Sequence, residues 1–138
     1  MLDLFAGTGA LGLEAASRGA ASVVLVEAAK GAAAIAKRNA DAVARSGAAR
    51  ATVAAQRAER WLAESGAEFD LVLIDPPYDF DVQTLAAVLE ALVPRLADDA
   101  LVLLEQTKRA GEPPLPAGLE LERTKRYGDT VVHSIVPV

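Results

Sequence analysis

The sequence predicts an α/β protein built on a mostly parallel β-sheet with helices on both faces. Short apolar runs alternate with helical stretches along most of the 138 residues, which is the order that gives a parallel sheet. The clearest runs are almost continuously apolar, as expected of strands covered on both faces. The last two runs alternate polar and apolar residues and join near Gly128-Asp129, as in an antiparallel hairpin. We therefore expect one three-layer α/β/α domain, residues 1–138, with a seven-stranded sheet.

Each predicted strand is an apolar or alternating run bounded by turn residues. The fourth run is the clearest, and Pro76-Pro77 ends it because a proline nitrogen cannot donate to a β-ladder. The predicted strands cover residues 2–6, 22–27, 51–55, 69–75 and 100–105, followed by the hairpin strands 119–127 and 130–136.

The predicted helices lie between these strands and end at residues that disfavour helix. Gly19, Ser46-Gly47 and Gly66 follow the first three helical stretches. The fourth stretch repeats apolar residues at i, i+3 and i+4 spacing, which gives a helix one apolar face. The predicted helices cover residues 10–18, 29–45, 58–65 and 81–96.

Composition excludes several classes of protein. Hydrophobic residues make up 52% of the chain and charged residues 24%, which is too apolar for disorder. No segment approaches the run of about 20 apolar residues that spans a bilayer, so we expect no membrane association. Cysteine is absent and His133 is the only histidine. Disulfides, thiolate metal sites and a cysteine nucleophile are therefore excluded, and we expect no bound metal.

The net charge of −5 and pI of about 4.9 argue against broad nucleic-acid binding, which depends on Lys and Arg at phosphates. A local basic patch would form if two late segments pair. It would contain Lys108, Arg109, Lys125 and Arg126. Such a charge run is more often a solvated surface than a binding site.

A glycine-rich loop follows the first predicted strand. Gly7, Gly9 and Gly12 form a Gly-x-Gly-x-x-Gly pattern between a strand and a helix. Glycine there permits a tight turn, close approach of a ligand and close helix–strand packing. Glu27 ends the next strand, where an acid suits the two hydroxyls of a ribose. Strand, loop, helix and acid together predict a nucleotide-type ligand, whereas the loop alone could be an ordinary βα turn.

Asp3 indicates which nucleotide is bound. A dinucleotide places its pyrophosphate at the helix N-terminus, and the carboxylate of Asp3, just before the loop, would oppose that charge. A ligand with an ammonium and a sulfonium group would be favoured instead. The pattern therefore favours S-adenosylmethionine over a nicotinamide dinucleotide.

Asp75-Pro76-Pro77-Tyr78 follows the fourth strand, at the sheet edge where ligands bind in α/β folds. Asp75 and the Pro76 carbonyl form a pair of acceptors, and Tyr78 offers a surface on which a base can stack. This arrangement suits the exocyclic amine of a nucleobase, whose lone pair could then attack a methyl carbon. Alone, the segment could be a strand-ending turn with an aromatic plug.

These segments together resemble a known family. Asp3–Gly12, Glu27 and Asp75–Tyr78 resemble the class I, Rossmann-like, S-adenosylmethionine-dependent methyltransferases that methylate amines. The match extends over nearly the whole chain to the RsmD-type bacterial enzymes, which methylate N2 of a guanine in small-subunit (16S) ribosomal RNA. It includes the further stretches Leu11–Ala15, Ser17–Ala20 and Tyr127–Thr130.

The resemblance implies a role for each matching residue. Asp3, Phe5, Gly7 and Gly9 would surround the methionine part of the donor. Glu27, followed by Ala28, would hold the ribose. Arg57 and Ala58 match the pair that brackets the adenine; arginine cannot accept a hydrogen bond from the adenine amine, whereas Ala58 offers a backbone N–H. Asp75, Pro76, Pro77 and Tyr78 would hold the guanine amine.

The resemblance also implies a cytoplasmic enzyme acting on ribosomal RNA or a small-subunit assembly particle. Members of the family normally carry a basic segment and a helix before the first strand, whereas this sequence begins inside that strand. Three alternatives therefore remain: methylation of another base amine, a dinucleotide oxidoreductase, and an inactive module that only binds the donor.

Overall fold

The computed structural model describes residues 1–47, 51–77 and 80–138. Within these ranges the chain forms two units, Met1–Trp61 and Leu62–Val138. The strands belong to a seven-stranded sheet that is mostly parallel, with antiparallel pairing at its C-terminal end. The predicted α/β class and the predicted sheet are therefore confirmed.

Parallel strands and two helices make up most of the first unit. β1 pairs with β2 and β2 with β3, both in parallel. Buried leucines and valines of β1 and β2 form its core, and helix α2 packs with alanines at i, i+3 and i+7 that let it approach closely. The elements are β1 (Leu2–Leu4), α1 (Ala10–Ser17), β2 (Val23–Val26), α2 (Lys30–Arg45), β3 (Ala51–Ala54) and α3 (Ala58–Glu64), the last of which ends in the second unit.

The second unit is built on a parallel pair extended by a hairpin. β4 pairs with β5 in parallel, β7 lies antiparallel against β5, and β6 pairs with β7 as the outer strand. Almost all residues of β6 are exposed. The four buried residues of α4 have the predicted helical spacing. The elements are β4 (Phe69–Ile74), α4 (Val82–Leu92), β5 (Leu96–Thr107), β6 (Leu119–Tyr127) and β7 (Thr130–Pro137).

Two predicted boundaries are wrong for identifiable reasons. The first strand ends at Leu4 rather than at residue 6 because Phe5 adopts a positive φ of 64°. The fourth helix ends at Leu92 rather than at residue 96, since Pro94 cannot continue the helical hydrogen bonds and the chain tightens into a 3-10 turn over Val93–Arg95.

The fifth strand begins at Leu96 instead of residue 100. Leu96 pairs with Phe69, and the register then shifts before Leu71 pairs with Leu101. This irregularity accommodates Ala97-Asp98-Asp99, which has the composition of a turn but continues the strand.

None of the helices in the described part of the chain is both long enough and apolar enough to cross a membrane.

Candidate functional site

The glycine loop turns sharply between β1 and α1. Gly7 and Gly9 have φ values of 60° and 90°, which glycine adopts without steric cost. The N–H of Gly9 donates to the carbonyl of Ala6 at 2.9 Å, and Gly9 is the N-cap of α1. A Cβ at Gly7 would meet no atom within 4 Å, so this side of the loop is open to a ligand.

Asp3 lies beneath the start of α1. Its residue surface is only 2% exposed, and its Oδ2 accepts a hydrogen bond from the Gly12 N–H at 3.2 Å. A Cβ on Gly12 would lie 2.2 Å from Leu25 Cδ2. The prediction that glycine at this position permits close helix–strand packing is therefore confirmed. A buried carboxylate thus lies next to the first turn of α1.

Glu27 connects the end of β2 to the glycine loop. Its Oε1 accepts from the Gly7 N–H at 2.7 Å and its Oε2 from the Ala29 N–H at 2.8 Å. Ala28, between these two anchors, is exposed. Each carboxylate oxygen has a further lone pair available to a hydroxyl donor, so the position suits the ribose role that the sequence predicts.

Two further residues shape this loop. Phe5 is the only residue other than glycine that has a positive φ within the described ranges, a conformation that costs about 1–2 kcal/mol. Asn39 on α2 donates from Nδ2 to the carbonyl of Thr8 at 3.1 Å. Sequence reasoning gave Asn39 no chemical role, because an amide on a helix gives no sign of which loop it reaches.

The candidate adenine-binding residues lie between β3 and α3. Arg57 is exposed and its carbonyl accepts from the Trp61 N–H at 3.0 Å, while Ala58 begins α3 and is buried. Gln56, which the sequence analysis passed over, has a buried Oε1 that makes no hydrogen bond among the described residues. An acceptor is therefore present next to Arg57, which has none.

A cavity of about 230 Å³ lies beside the end of β4. It brings three of the four residues predicted for the amine site, Asp75, Pro76 and Pro77, together with residues from β5 and β7. Tyr78, the fourth, lies outside the described residues. The remaining lining residues are Phe80, Glu105, Gln106, Thr107, Ala110 and Thr130.

Electrostatics distinguish this cavity. Burial raises the pKa of the Asp75 carboxyl above its ordinary value. Burial also raises the pKa of Glu105, and the negative charge of Asp75 raises it further. Groups that accept protons and have perturbed pKa values are common at functional sites. Sequence reasoning missed Glu105, although an acid directly after a buried strand was a usable signal.

Phe80 supplies an aromatic wall to the same cavity. Its N–H donates to the carbonyl of Pro77 at 3.0 Å, which fixes the turn after the two prolines. The sequence analysis assigned the aromatic surface to Tyr78 alone. An aromatic ring at either position could stack on a planar base.

The basic residues singled out in the sequence lie on the hairpin and on the segment after β5. The Lys108 N–H donates to the carbonyl of Asp129 at 2.8 Å, so the two late segments do pair. Lys108, Arg109, Lys125 and Arg126 are all exposed. They therefore keep the character of a solvated basic surface.

A family model described as "Conserved hypothetical protein 95" matches residues 1–136. The chain belongs to this family. The match covers nearly every residue that carries the glycine loop and the acidic cavity, and the RsmD-type resemblance is confirmed.

One curated relative in this family is "Ribosomal RNA small subunit methyltransferase D" of Escherichia coli K12. It is 36% identical over 129 residues, which cover 92% of this chain and 63% of the relative. The chain therefore spans somewhat less than two-thirds of the length of the curated relative.

Solved structures of similar proteins share the fold. A proposed methyltransferase of Escherichia coli, yhhF, is 35% identical with a TM-score of 0.84, covering 97% of this chain and 74% of that chain. A conserved hypothetical protein of Streptococcus pyogenes is 36% identical with a TM-score of 0.83, covering 99% of this chain and 84% of that chain. The fold is therefore that of the class I methyltransferases.

Proposed function

We propose that this chain transfers a methyl group from S-adenosylmethionine to the exocyclic N2 of a guanine in small-subunit (16S) ribosomal RNA, in the cytoplasm. The observation that carries the proposal is the acid-lined cavity beside Asp75-Pro76-Pro77 in a member of this family. The curated relative is named for methylation of small-subunit ribosomal RNA, and guanine is argued from the chemistry of the cavity.

The residues of the first unit fit the proposed donor better than a dinucleotide. The buried Asp3 carboxylate lies at the first turn of α1 and already uses the Gly12 N–H. A pyrophosphate there would face negative charge and would lose one of the N–H groups that usually bind it. Asp3, Phe5, Gly7 and Gly9 would hold the methionine part, where the ammonium and sulfonium charges favour a carboxylate nearby.

Glu27 and Ala28 would hold the ribose, and Arg57 with Ala58 would bracket the adenine. Glu27 is held by two backbone N–H groups, so its carboxylate is oriented before the ligand binds. Preorganisation of this kind reduces the entropy cost of binding. When bound, S-adenosylmethionine supplies an electrophilic methyl group on a positively charged sulfur.

Asp75, Pro76, Pro77 and Tyr78 would act on the amine. Asp75 would accept a hydrogen bond from N2, with the Pro76 carbonyl as a second acceptor. These bonds favour a pyramidal nitrogen whose lone pair is free to attack the methyl carbon. As the new N–C bond forms and the C–S bond breaks, N2 gains a positive charge, which Asp75 stabilises before N2 releases its proton. Positioning of the two reactants accounts for most of the rate increase.

The target guanine has to leave its base pair to enter a cavity of about 230 Å³. Enzymes that modify bases either flip the nucleotide or act on single strands. Phe80, with Tyr78, would provide the stacking surface for the extruded base. We therefore expect a substrate in which this guanine is unpaired, either naked ribosomal RNA or an assembly particle.

The experiment is methyl transfer from radiolabelled S-adenosylmethionine to a 16S ribosomal RNA transcript and to small-subunit particles, with mapping of the modified atom. Label at guanine N2 is the expected result. Label at an adenine or cytosine amine would favour a different base. Binding of the donor without transfer to either RNA would favour the inactive module, and tighter binding of NAD than of S-adenosylmethionine would favour an oxidoreductase.

A further inference from the structure

The cavity beside Asp75 contains a second carboxylate in a defined position. Ile74 and Leu104 are the last paired residues of β4 and β5, and Asp75 and Glu105 are the next residues of these two strands. Neighbouring parallel strands in register project paired side chains to the same face. The two carboxylates therefore project to one side of the sheet, and both line the cavity.

Neither carboxylate makes a hydrogen bond or an ion pair with another described residue. The only salt bridge found within the described ranges joins Arg18 to Glu14, in the first unit. Two carboxylates without a cationic partner repel each other, and partial burial strengthens that repulsion. The site therefore gains free energy from an occupant that brings N–H donors to both groups.

Gln106 adds a third acceptor to the same cavity. Its Oε1 is buried and has no hydrogen-bond partner among the described residues. An unpaired buried acceptor costs about 1–3 kcal/mol, so a ligand that satisfies it is favoured. Thr107 and Thr130 line the cavity with hydroxyls that can donate or accept. The set of side chains thus selects for a ligand rich in donors.

The edge of each base decides which nucleobase satisfies two carboxylates. When the amine of adenine or cytosine lies at Asp75, the adjacent ring nitrogen carries a lone pair. When the N2 amine of guanine lies there, the adjacent N1 carries a proton. A second carboxylate facing that ring nitrogen attracts guanine and repels the other two bases.

We propose that Glu105 determines the specificity for guanine by accepting a hydrogen bond from N1–H while Asp75 accepts from N2. The inference rests on the proposed function, since it assigns a residue to the choice of base at the same site. A site built to bind an N–H donor rejects an analogue without that donor by a large factor, because its acceptor is left unpaired.

The test compares guanine with 2-aminopurine, which keeps the 2-amino group but has an unprotonated N1. Two RNAs are prepared that differ only in guanine or 2-aminopurine at the methylated position. Methyl transfer to each is measured with the wild-type chain, with Glu105→Gln and with Glu120→Gln. Glu120 is exposed on β6 and outside the cavity lining, so its variant is a control for the change of charge.

We expect the wild-type chain to prefer guanine by about 100-fold or more in kcat/KM. Glu105→Gln should lower kcat/KM for guanine about 10- to 100-fold and change that for 2-aminopurine by less than about 3-fold. The preference then falls at least about 10-fold in a double-mutant cycle. Glu120→Gln should leave both values unchanged. Glu105→Asp, which keeps the charge, should retain the preference for guanine.

The outcomes separate this inference from the proposed function. Transfer to guanine by the wild-type chain, with Glu105→Gln slowing both RNAs equally, would overturn the specificity role and leave the function in place. A wild-type chain that modifies no guanine would overturn the function, and the specificity role with it. Urea unfolding of each variant shows that the comparison concerns folded protein.

Discussion

The carboxylate of Glu27 holds the backbone of Gly7, 20 residues earlier in the chain, with a hydrogen bond of 2.7 Å from the Gly7 N–H to Oε1. A second bond from the Ala29 N–H to Oε2 fixes the same side chain from the other direction. The acid proposed to bind the ribose therefore also sets the shape of the loop proposed to bind the methionine part. A change at Glu27 is expected to affect both parts of the donor site.

Replacing Glu27 with alanine should weaken the binding of S-adenosylmethionine. Hydrogen bonds to a charged group contribute about 1.5–3 kcal/mol, so we expect the dissociation constant to rise at least about 10-fold. Isothermal titration calorimetry measures the change. Asp41→Ala, on the exposed surface of α2, is the matched control and should bind as the wild-type chain does. Equal affinity for Glu27→Ala and Asp41→Ala would remove Glu27 from the donor site.

Asp75→Asn should abolish or strongly slow methyl transfer without weakening donor binding. The amide cannot stabilise positive charge on the amine, and the loss of such a preorganised electrostatic contact costs about 100- to 1000-fold in rate. Single-turnover transfer to the ribosomal RNA measures the rate, and calorimetry measures donor affinity. Asp70→Asn, an exposed residue on the same strand, should have normal turnover. Turnover by Asp75→Asn at the wild-type rate would contradict the mechanism.

Gly12→Ala should destabilise the fold by about 1–3 kcal/mol. The added methyl would lie 2.2 Å from Leu25 Cδ2 and 3.2 Å from Asp3 Oδ2, and Leu25 is fully buried, so neighbouring groups have to move. Urea denaturation measures the free energy of unfolding.

The control for this change is Gly31→Ala in helix α2. A Cβ at Gly31 meets no atom within 4 Å, and alanine has a higher helix propensity than glycine. We expect Gly31→Ala to be as stable as the wild-type chain or up to about 1 kcal/mol more stable. If Gly12→Ala and Gly31→Ala had the same stability, the close packing of α1 on β2 would not explain the glycine.

His133 should make the stability of the fold depend on pH. It is 5% exposed, pairs across the strands with Leu104, and shares a hydrogen bond of 3.0 Å between Nδ1 and Thr124 Oγ1. Burial lowers its pKa below the ordinary value of 6.5. On acidification the unfolded chain therefore takes up a proton before the folded chain does, and stability falls as pH drops below about 6.5.

The measurement is urea unfolding at pH 7.5 and pH 5.5, with His133→Gln as the reference variant. Each unit by which the folded pKa is lowered corresponds to about 1.4 kcal/mol. The wild-type chain should lose more stability over this interval than His133→Gln. Asp75 and Glu105, whose raised pKa values act in the opposite direction, are common to both proteins and cancel in the difference. Parallel pH profiles for the two proteins would rule out titration of His133.

The sequence was sufficient for the features that depend on local pattern. The glycine loop, the acid after β2 and the two prolines after β4 are short motifs whose geometry follows from the residues themselves. The order of strands and helices follows from apolar periodicity. These signals predicted the fold class and most residues of the candidate site.

The features that the sequence did not show depend on partners distant in the chain. Leu96 joins β5 because Phe69 is available to pair with it. Glu105 resembles any solvated acid after a strand until Asp75 is placed beside it on the next strand. Asn39 reaches Thr8 across 31 positions, and no spacing rule relates the two. Contacts of this kind are set by tertiary packing rather than by local propensity.

The exposed outer strand β6 has a consequence for how the protein behaves at high concentration. An unpaired strand edge is a template on which another copy can add a strand and start aggregation, and proteins protect such edges with charged side chains. β6 carries Arg123, Lys125 and Arg126 within four consecutive positions. Two such edges approaching each other would place like charges together, so this hairpin opposes intermolecular sheet extension.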